Sequence, residues 1–550
     1  MFLFLSHVLW VIMEMEAFPK LFLSAYEKAP DRDCVVLSNE RATYGQLYQR
    51  SLQVAKALSA LGIIKSERVG ILMANSVDFV ASLIGATFIG AVPMLYNGRF
   101  KSREIAHVTS DASIKVILTS DRIEEHVNYG ELLRSAIPGL DRQSNLQKIE
   151  ISEMPELQTA VMFGATQHEG FMSEDDFLSL GEHVEPSTVL GPIDSFGPDD
   201  PAVMFYTSGT TAMPKGCELS HRVFQHSGVI GGERFGLTEG DKMWAPLPMF
   251  HTTFTMPFTG IVSVGGTIIS MQHFDATEAI EMIKTERPTL AFPAFTTITM
   301  ALLDHPQYDS DTFSSIRTMF NVAPEDVLVK MQERMPHTSQ ITGFGMTETG
   351  GSVCLGETTA SLEQRSQTCG KAFPGNEIRI QDPTTGEFVG PGVKGEIITR
   401  GLGVFSGYHN DEAKNAEAFD DDGWFHTGDL GEMTANDEVI YSGRLKDMLK
   451  VGGENVAAVE VEGFLCTHPK VKIAAVVGLP DEKYTEVPVA FIETLADESL
   501  TEDEVIDYCR NQISSYKIPR HVRFITEWPM GATKILKYDL RAKIAKELLS

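Results

Sequence analysis

Apolar positions in the first part of the chain alternate between helical and strand spacing. Over residues 43–61 they recur three or four positions apart, which predicts an amphipathic helix that ends at Gly62. Short apolar runs at residues 68–73 and 92–95 predict strands, and the longer apolar stretch at 77–89 predicts a helix between them. This alternation predicts a parallel sheet that helices cover on both faces.

The same alternation resumes after a polar interval. Residues 121–200 show little periodicity, so we expect a loop-rich surface segment there with little functional signal. Around this interval the pattern predicts helices at residues 103–110, 277–285 and 296–303 and strands at residues 115–119, 202–206, 242–245, 267–270 and 289–292.

Beyond about residue 370 the alternation of predicted strands and helices gives way to short strands and turns. Short strands separated by turn residues, at 377–380, 395–399 and 439–441, predict a small antiparallel or barrel-like subdomain. The last part predicts a compact α/β segment of about one hundred residues, a usual domain size. Its predicted elements are helices at residues 459–467 and 502–512 and strands at residues 473–478 and 487–493.

Composition narrows the class of protein. The chain has 550 residues, of which 43% are hydrophobic and 22% charged, as in ordinary globular proteins of several domains. Its net charge of −29 disfavours nonspecific binding to nucleic acid or to an anionic membrane. The 6 cysteines form no C-x-x-C pair, which suits a reducing compartment, and we expect a cytoplasmic protein.

Residues 1–13 form an apolar stretch that matches no targeting pattern. It is too short to span a bilayer and lacks the basic start of a signal peptide. We expect residues 1–16 to be an N-terminal extension that results from a mis-assigned start, with Met13 or Met15 as the true first residue. A weak anchor at a membrane surface is the alternative.

A loop rich in hydroxyl groups follows the strand predicted at 202–206. Glycines let such a loop bring backbone N–H groups close to an anion, and the point charge of Lys215 suits phosphate. It is not the loop of the common NTPases, since Gly216 follows the lysine, and a flexible surface loop is the alternative. The candidate phosphate-binding residues are Thr207, Ser208, Gly209, Thr210, Thr211 and Lys215.

Two further segments carry carboxylates between glycines. At residues 343–349, Glu348 beside Thr347 could hold Mg²⁺ and touch a phosphate, while Phe344 could stack on a base. A helix N-cap is the alternative. At residues 423–431, Asp429 could accept both hydroxyls of a ribose, with an ordinary Asp turn as the alternative.

The last two segments are basic. Residues 442–456 combine Arg444 with a Gly-Gly turn and further charges, which a hairpin with an exposed basic edge would also explain. Residues 529–537 place Lys534 on a loop of small residues, from which it could reach a developing charge. A solvated surface lysine is the alternative there.

Together these five segments, in this order and spacing, resemble the adenylate-forming (AMP-binding) superfamily, most closely the acyl-CoA synthetases, from about Ala17 onward. The resemblance implies an α/β enzyme with a large AMP-binding N-terminal domain of parallel sheets and a β-barrel-like subdomain over residues 17–445. A hinge at Lys446 and a small mobile α/β C-terminal domain over residues 446–550 would follow. It implies an acid–thiol ligase that uses ATP, Mg²⁺ and coenzyme A.

The resemblance also assigns roles by position. The implied ATP- and AMP-binding residues are Thr207, Ser208, Gly209, Thr210, Thr211, Lys215, Asn321, Val322, Ala323, Phe344, Gly345, Met346, Thr347, Asp429, Tyr441, Arg444 and Lys534. The implied catalytic residues are Lys215, His251, Thr347, Lys534 and Glu348, the last also the metal ligand. Coenzyme A would meet Lys450, Gly452 and Gly453. The acid pocket would include His251, Phe254, Phe295, Val322, Phe344 and Met346.

Some positions depart from the common pattern of the superfamily. Asn321-Val322 replaces a Gly-Gly pair, and the other departures are Ala212, Ala458 and Thr533, the last directly before the expected catalytic lysine. None of them removes a charged catalytic group.

The segment 250–258 bears on the substrate. Adenylation domains for amino acids carry an aspartate there to pair with the ammonium, whereas this chain has no carboxylate in that segment. Because an unpaired ammonium is costly to bury, we expect an apolar acid, whether fatty, branched, alicyclic or aryl. The alternatives are a ligase that passes its acyl-adenylate to a carrier protein and a nucleotide- or acyl-binding protein without turnover. We expect no nucleic-acid partner and no stable membrane insertion, and the sequence admits a homodimer.

Overall fold

The computed structural model describes most of the chain. The described residues are 15–123, 126–164, 167–207, 213–309, 311–452, 454–481, 483–496, 498–510, 512–530 and 535–548. The apolar stretch 1–13 lies outside these ranges. So do Ser208, Gly209, Thr210, Thr211, Ala212, Gly453, Thr533 and Lys534.

The strands occupy the chain from residue 33 to residue 524. In chain order they are β1 Asp33–Val36, β2 Arg41–Thr43, β3 Arg68–Leu72, β4 Val92–Leu95, β5 Ile114–Ser120, β6 Thr159–Phe163, β7 Met172–Ser173, β8 Pro201–Thr207, β9 Lys215–Ser220, β10 Lys242–Trp244, β11 Thr267–Ile269, β12 Leu290–Phe295, β13 Thr318–Val322, β14 Ser339–Ile341, β15 Gly343–Phe344, β16 Cys354–Leu355, β17 Lys371–Ala372, β18 Asn376–Gln381, β19 Gly395–Gly401, β20 Phe425–Met433, β21 Val439–Arg444, β22 Met448–Val451, β23 Glu454–Ala457, β24 Val471–Asp481, β25 Thr485–Thr494 and β26 His521–Phe524.

The helices lie between and around these strands. In chain order they are α1 Phe18–Lys28, α2 Tyr44–Ala60, α3 Val77–Phe88, α4 Ser102–Asp111, α5 Tyr129–Ala136, α6 Glu174–Leu180, α7 Pro186–Leu190, α8 His221–Phe235, α9 Thr252–Ser263, α10 Ala276–Glu286, α11 Thr296–Leu303, α12 Glu325–Arg334, α13 Leu362–Gln367, α14 Glu412–Ala418, α15 Ala458–Cys466, α16 Glu502–Cys509 and α17 Lys537–Leu548. Of the helices in the described ranges, none combines the length and apolar character needed to cross a bilayer.

Two seven-stranded sheets form the large N-terminal part. Their strand orders are β14-β13-β12-β10-β11-β1-β2 and β7-β6-β5-β3-β4-β8-β9. Pairing is parallel except at the edge pairs β1–β2 and β8–β9, and the largest hydrophobic core joins residues of both sheets with the helices between them. The predicted parallel α/β architecture is confirmed.

Helix α2 shows how local sequence sets these elements. Thr43 and Gln46 close its first turn with a reciprocal capping box, and Leu47 and Leu58 on its apolar face are buried. Gly62, just past its end, has a φ of 82°, a backbone conformation that other residues adopt at a cost. The helix predicted over residues 43–61 is therefore confirmed to within one residue at each end.

The expectation for residues 121–200 is wrong. Strand β6 lies inside the second sheet, paired in parallel with β5, and every residue of it is buried. Ser173 caps α6, and α5 is also formed. A strand buried on both faces has no alternation of apolar and polar residues, so periodicity does not distinguish this short run from a loop.

Antiparallel strands follow the two large sheets. Strands β18-β19-β20-β21 pair in that order as an antiparallel sheet, and β15-β16-β17 form a smaller one. The predicted antiparallel subdomain is therefore present, with β20 and β21 as the strands that carry Asp429 and Arg444.

The C-terminal α/β unit forms its own five-stranded sheet. Strands β22 to β26 build it, and α15 packs against β24. A single 3₁₀ turn, Leu445–Asp447, joins the antiparallel subdomain to this sheet and contains Lys446. The unit also contacts α12, where Lys330 Nζ donates hydrogen bonds to the carbonyl oxygens of Cys466 and Thr467. The boundary at residues 445–446 and its mobility stay predictions.

Candidate active site

The predicted phosphate loop connects two paired strands, and its residues 208–212 lie outside the described ranges. Strands β8 and β9 pair antiparallel, and Thr207 lies opposite Lys215 where the hairpin opens. Among the described residues the Lys215 ammonium forms no ion pair; it lies 5.5 Å from the ring centroid of Tyr408. Burial, followed by the charge of Lys414, lowers the pKa of Lys215. A partly desolvated ammonium beside an aromatic face is well placed to attract a phosphate.

Glu348 contacts the same tyrosine as this lysine. It belongs to the 3₁₀ turn Thr347–Thr349, and only 9% of its surface is exposed. The Tyr408 hydroxyl donates a hydrogen bond of 2.8 Å to Glu348 Oε1, and burial together with the Glu348 charge raises the pKa of Tyr408. Within the described residues Oε2 accepts no protein hydrogen bond. The Glu348 carboxylate thus has one oxygen that accepts a hydrogen bond and a second that could bind a metal. Together with the hydroxyl of the adjacent Thr347, it fits the oxygen ligands that Mg²⁺ prefers.

The Asp429 and Arg444 side chains lie side by side. The two residues are directly opposite in the β20–β21 ladder, and Arg444 Nε lies 3.4 Å from Asp429 Oδ1. Asp429 is 5% exposed, whereas 40% of the Arg444 side chain is accessible. The pair therefore presents a buried acceptor and an accessible cation at the same edge, which suits a ribose and its phosphate.

Two aromatic rings adjoin this pair. Phe344, on β15, and Tyr441, on β21, stack with ring centroids 5.8 Å apart. Burial, together with Asp429, raises the pKa of the Tyr441 hydroxyl. A Cβ at Gly345 would lie 2.2 Å from the carbonyl oxygen of Gly351, so only glycine fits between the aromatic wall and Glu348.

The Asn321 side chain, near the end of β13, forms hydrogen bonds inside the protein, although Asn321 is one of the predicted nucleotide-binding residues. The Asn321 amide is buried: its Oδ1 accepts a hydrogen bond of 2.6 Å from the Thr299 hydroxyl, and its Nδ2 donates one of 3.0 Å to Gln340. Any contact of Asn321 with a nucleotide would therefore use its backbone. Val322 is 44% exposed and Ala323 is half-buried, so these two residues form the accessible part of the turn.

The predicted acid pocket divides into exposed and buried members. His251 caps α9, where its Nδ1 accepts a hydrogen bond of 3.4 Å from the Thr253 backbone N–H; in the neutral ring the proton then lies on Nε2. Phe295 and Met346 are half-buried at the border of the main core. Phe254 is 1% exposed and stacks on Phe258 inside that core, so it supports the pocket from behind.

The proposed coenzyme A residues lie on a separate hairpin. Gly452, with a φ of 61°, begins the turn between β22 and β23, and its N–H donates to the carbonyl oxygen of Tyr484. The Lys450 backbone N–H donates to Glu486, and its side chain is exposed. The structure thus holds Lys450 and Gly452 against Tyr484 and Glu486 of the C-terminal unit.

Lys534 itself lies outside the described residues, whereas the residues on either side of its loop are described. Met530 and Ile535 pair as a β-bridge across it, and α17 follows. Burial, then Asp539, then Glu104 of α4 raise the pKa of Tyr538, so the start of α17 lies near α4. On α4, His107 Nε2 lies 3.1 Å from the carbonyl oxygen of Pro214. Tyr538 and Pro214, which follow the two loops in the chain, therefore both lie near α4.

Sequence reasoning missed Tyr408. It lies 60 residues from Glu348 in the chain, after a Gly407 with a φ of 144°, and nothing in the local pattern marks it. Only the folded chain shows that this tyrosine contacts both Lys215 and Glu348.

Comparisons with known proteins agree with this geometry. Residues 22–409 match the family profile described as AMP-binding enzyme, and residues 460–534 match the AMP-binding enzyme C-terminal domain. The chain is 34% identical over 523 residues to "Putative acyl-CoA synthetase YngI" of Bacillus subtilis, covering 94% of each. It is 31% identical over 527 residues to 4-coumarate–CoA ligase 1 of Solanum tuberosum, covering 94% of this chain and 91% of that one.

Among solved structures, the anthranilate CoA ligase AuaEII in complex with anthranoyl-AMP superposes with a TM-score of 0.82 at 25% identity. The superposition covers 97% of this chain and 98% of that structure. The similarity therefore extends over both the large N-terminal part and the C-terminal unit.

Proposed function

The chain belongs to the AMP-binding enzyme family, and from this premise we propose that it joins an apolar carboxylic acid to free coenzyme A. It is an acid–thiol ligase that forms AMP and works through an acyl-adenylate, with ATP, Mg²⁺ and coenzyme A as its cofactors and cosubstrates. The nature of the acid, the acceptor and the role of each residue are the proposed part.

The observation that carries the proposal is the convergence of residues from separate motifs. Lys215 and Glu348 both contact Tyr408, and the Glu348 charge acts on Lys215 and on Arg444. Arg444 in turn lies beside Asp429. The Lys215 cation, the Glu348 carboxylate that suits a metal and the Asp429 carboxylate that suits a ribose thus follow one another. This is the order that the phosphates, metal and sugar of ATP require.

These residues suit the first half-reaction. A carboxylate oxygen attacks the α-phosphorus of ATP and pyrophosphate leaves, while Lys215 and Lys534 offset charge on the phosphoryl oxygens. Glu348, with Thr347, would hold Mg²⁺, which supplies further positive charge to those oxygens. The approach of α17 to α4 supports the placement of Lys534 near the phosphate loop.

The second half-reaction needs a different face of the C-terminal unit. The thiol of coenzyme A attacks the carbonyl carbon of the acyl-adenylate, and AMP leaves. The Lys450–Gly452 segment lies against Tyr484 and Glu486 of its own unit, and we propose that residues 446–550 rotate about Lys446 between the steps to bring this segment to the acyl-adenylate. Rotation also shields the reactive anhydride from water during the first step.

The acid pocket is proposed from its polarity. Phe295, Val322 and Met346 offer apolar surface, and His251 Nε2 would donate to the reacting carboxylate. Because residues 250–258 contain no carboxylate, an acid with an α-ammonium group would have no partner for its charge.

A matched pair of acids tests this proposal. We expect pyrophosphate release with 3-phenylpropanoate, and with fatty and aryl acids, to exceed release with phenylalanine by about 100-fold or more, since burial of the unpaired ammonium costs several kcal/mol. The assay is pyrophosphate release with and without coenzyme A, with the thioester identified by mass spectrometry. Equal rates with phenylalanine would overturn the apolar pocket, and turnover that coenzyme A does not increase would overturn the free thiol as acceptor.

A further inference from the structure

Tyr408 connects the two charges that the proposed adenylation step depends on. Its hydroxyl donates to Glu348 Oε1 at 2.8 Å, and its ring faces the Lys215 ammonium at 5.5 Å. We infer that Tyr408 is a positioning residue: it fixes the Glu348 carboxylate so that Oε2 is presented to Mg²⁺, and its ring separately orients Lys215. This inference rests on the proposed function and identifies the residue that orients the proposed metal ligand.

The backbone of Tyr408 is held from two sides, which makes it a rigid support. Asn415, on α14, accepts a hydrogen bond of 2.6 Å from the Tyr408 N–H and donates one of 2.9 Å to its carbonyl oxygen. On the other side Tyr408 pairs with Cys217 of β9 as a β-bridge. The Phe405 ring packs edge-on against the Tyr408 ring at 4.9 Å. A side chain fixed in this way can hold a carboxylate in one orientation.

The Glu348 backbone is tied to the same segment. Its carbonyl oxygen accepts a hydrogen bond of 2.9 Å from the Phe405 N–H. The turn Thr347–Thr349 and the segment 405–408 are therefore joined by one backbone and one side-chain hydrogen bond. Without the Tyr408 hydroxyl, the buried Glu348 carboxylate would lose the hydrogen bond to Oε1. Only the backbone of Glu348 would then be fixed, and its side chain could rotate.

The geometry separates two functions within one side chain. The hydroxyl acts on Glu348, and hence on the metal, whereas the ring acts on Lys215, and hence on the phosphates. Substitution by phenylalanine removes only the first, because it keeps the aromatic face. Substitution by leucine removes both, because an aliphatic side chain has no π-face for the ammonium.

Equilibrium binding of ATP, measured by calorimetry without acid or coenzyme A, tests the inference. The ratio of the ATP dissociation constants in EDTA and in saturating Mg²⁺ gives the contribution of the metal. Tyr408→Phe should reduce that ratio by about 10-fold or more, the usual loss when the group that holds a metal ligand is removed. Its dissociation constant in EDTA should equal that of the wild type. Tyr408→Leu should also weaken binding in EDTA.

Two controls make the result specific. Tyr308→Phe removes a hydroxyl that donates to the carbonyl oxygen of Arg334, outside the site, and should leave both dissociation constants unchanged. In a Glu348→Gln background, Tyr408→Phe should have no further effect on the Mg²⁺ ratio, since the ligand it positions is gone.

The outcomes separate this inference from the proposed function. A wild-type protein whose ATP binding did not respond to Mg²⁺ would overturn the metal role of Glu348 and the proposed function with it. A normal wild-type response that persisted in Tyr408→Phe would overturn only the role of Tyr408. Equal losses of affinity in EDTA and in Mg²⁺ would likewise overturn it, because they would show a change of shape and not of the metal site.

Discussion

Replacing Lys534 by alanine should slow acyl-adenylate formation by about 10²–10³-fold, the usual cost of removing one preorganised donor from a transition state. Thioester formation from acyl-adenylate supplied ready-made should remain close to the wild-type rate. The reason is that the lysine stabilises the pentacoordinate phosphorus, which forms only in the first step, whereas the second step breaks the bond between the carbonyl carbon and the oxygen that AMP keeps. The two rates are measured separately, by pyrophosphate exchange and by coenzyme A consumption.

Matched variants complete this experiment. Lys537→Ala removes a nearby lysine that pairs with Glu462 and should leave adenylation intact. Gly453→Trp should have the opposite effect to Lys534→Ala, because an indole on the β22–β23 turn would block the thiol without touching ATP. If Lys534→Ala and Gly453→Trp slowed the same half-reaction equally, rotation about Lys446 would not describe this protein.

Glu348→Gln should reduce adenylation by about 100-fold or more and remove its saturation by Mg²⁺, because Lewis-acid stabilisation by a metal contributes several kcal/mol. The amide keeps an oxygen for the Tyr408 hydroxyl, so the substitution removes the charge while it preserves the shape and the hydrogen bond. The measurement is the initial rate of pyrophosphate exchange over a titration of Mg²⁺.

A control variant and a stability measurement accompany this titration. Glu357→Gln alters a nearby exposed carboxylate that pairs with Arg234 and should leave the Mg²⁺ titration unchanged. Glu348→Gln should not lower the unfolding temperature, since the amide keeps the shape of the side chain and an oxygen that accepts the hydrogen bond from Tyr408. Unchanged adenylation by Glu348→Gln, or wild-type activity in EDTA, would contradict the metal site.

The sequence predicted the elements whose periodicity is strong. Helix α2 ends where Gly62 predicts, and β4 matches its predicted bounds. Periodicity failed for β6, because a strand buried on both faces carries no alternation. It also failed for β9, because the antiparallel pairing of this strand with β8 depends on a partner that local sequence does not identify.

The site residues divide in the same way. Lys215, Glu348, Asp429 and Arg444 each stand in a glycine-rich segment with a recognisable composition. The fold places Asp429 beside Arg444 and brings Lys215 and Glu348 to the same tyrosine. No local sequence pattern identifies Tyr408, because its importance comes from contacts with Lys215 and Glu348, which are distant in the sequence. The hydrogen bonds of the Asn321 amide with Thr299 and Gln340 also depend on tertiary packing and could not be predicted.

Oxygen transfer from the acid to AMP tests the central claim most directly. If a carboxylate oxygen attacks the α-phosphorus and the thiol later attacks the carbonyl carbon, the bond that breaks in the second step leaves that oxygen on AMP. An acid with both carboxylate oxygens replaced by ¹⁸O, turned over with ATP and coenzyme A, should therefore yield AMP that carries one ¹⁸O atom, as read by mass spectrometry. AMP without label, or label in inorganic phosphate together with ADP, would contradict the acyl-adenylate route.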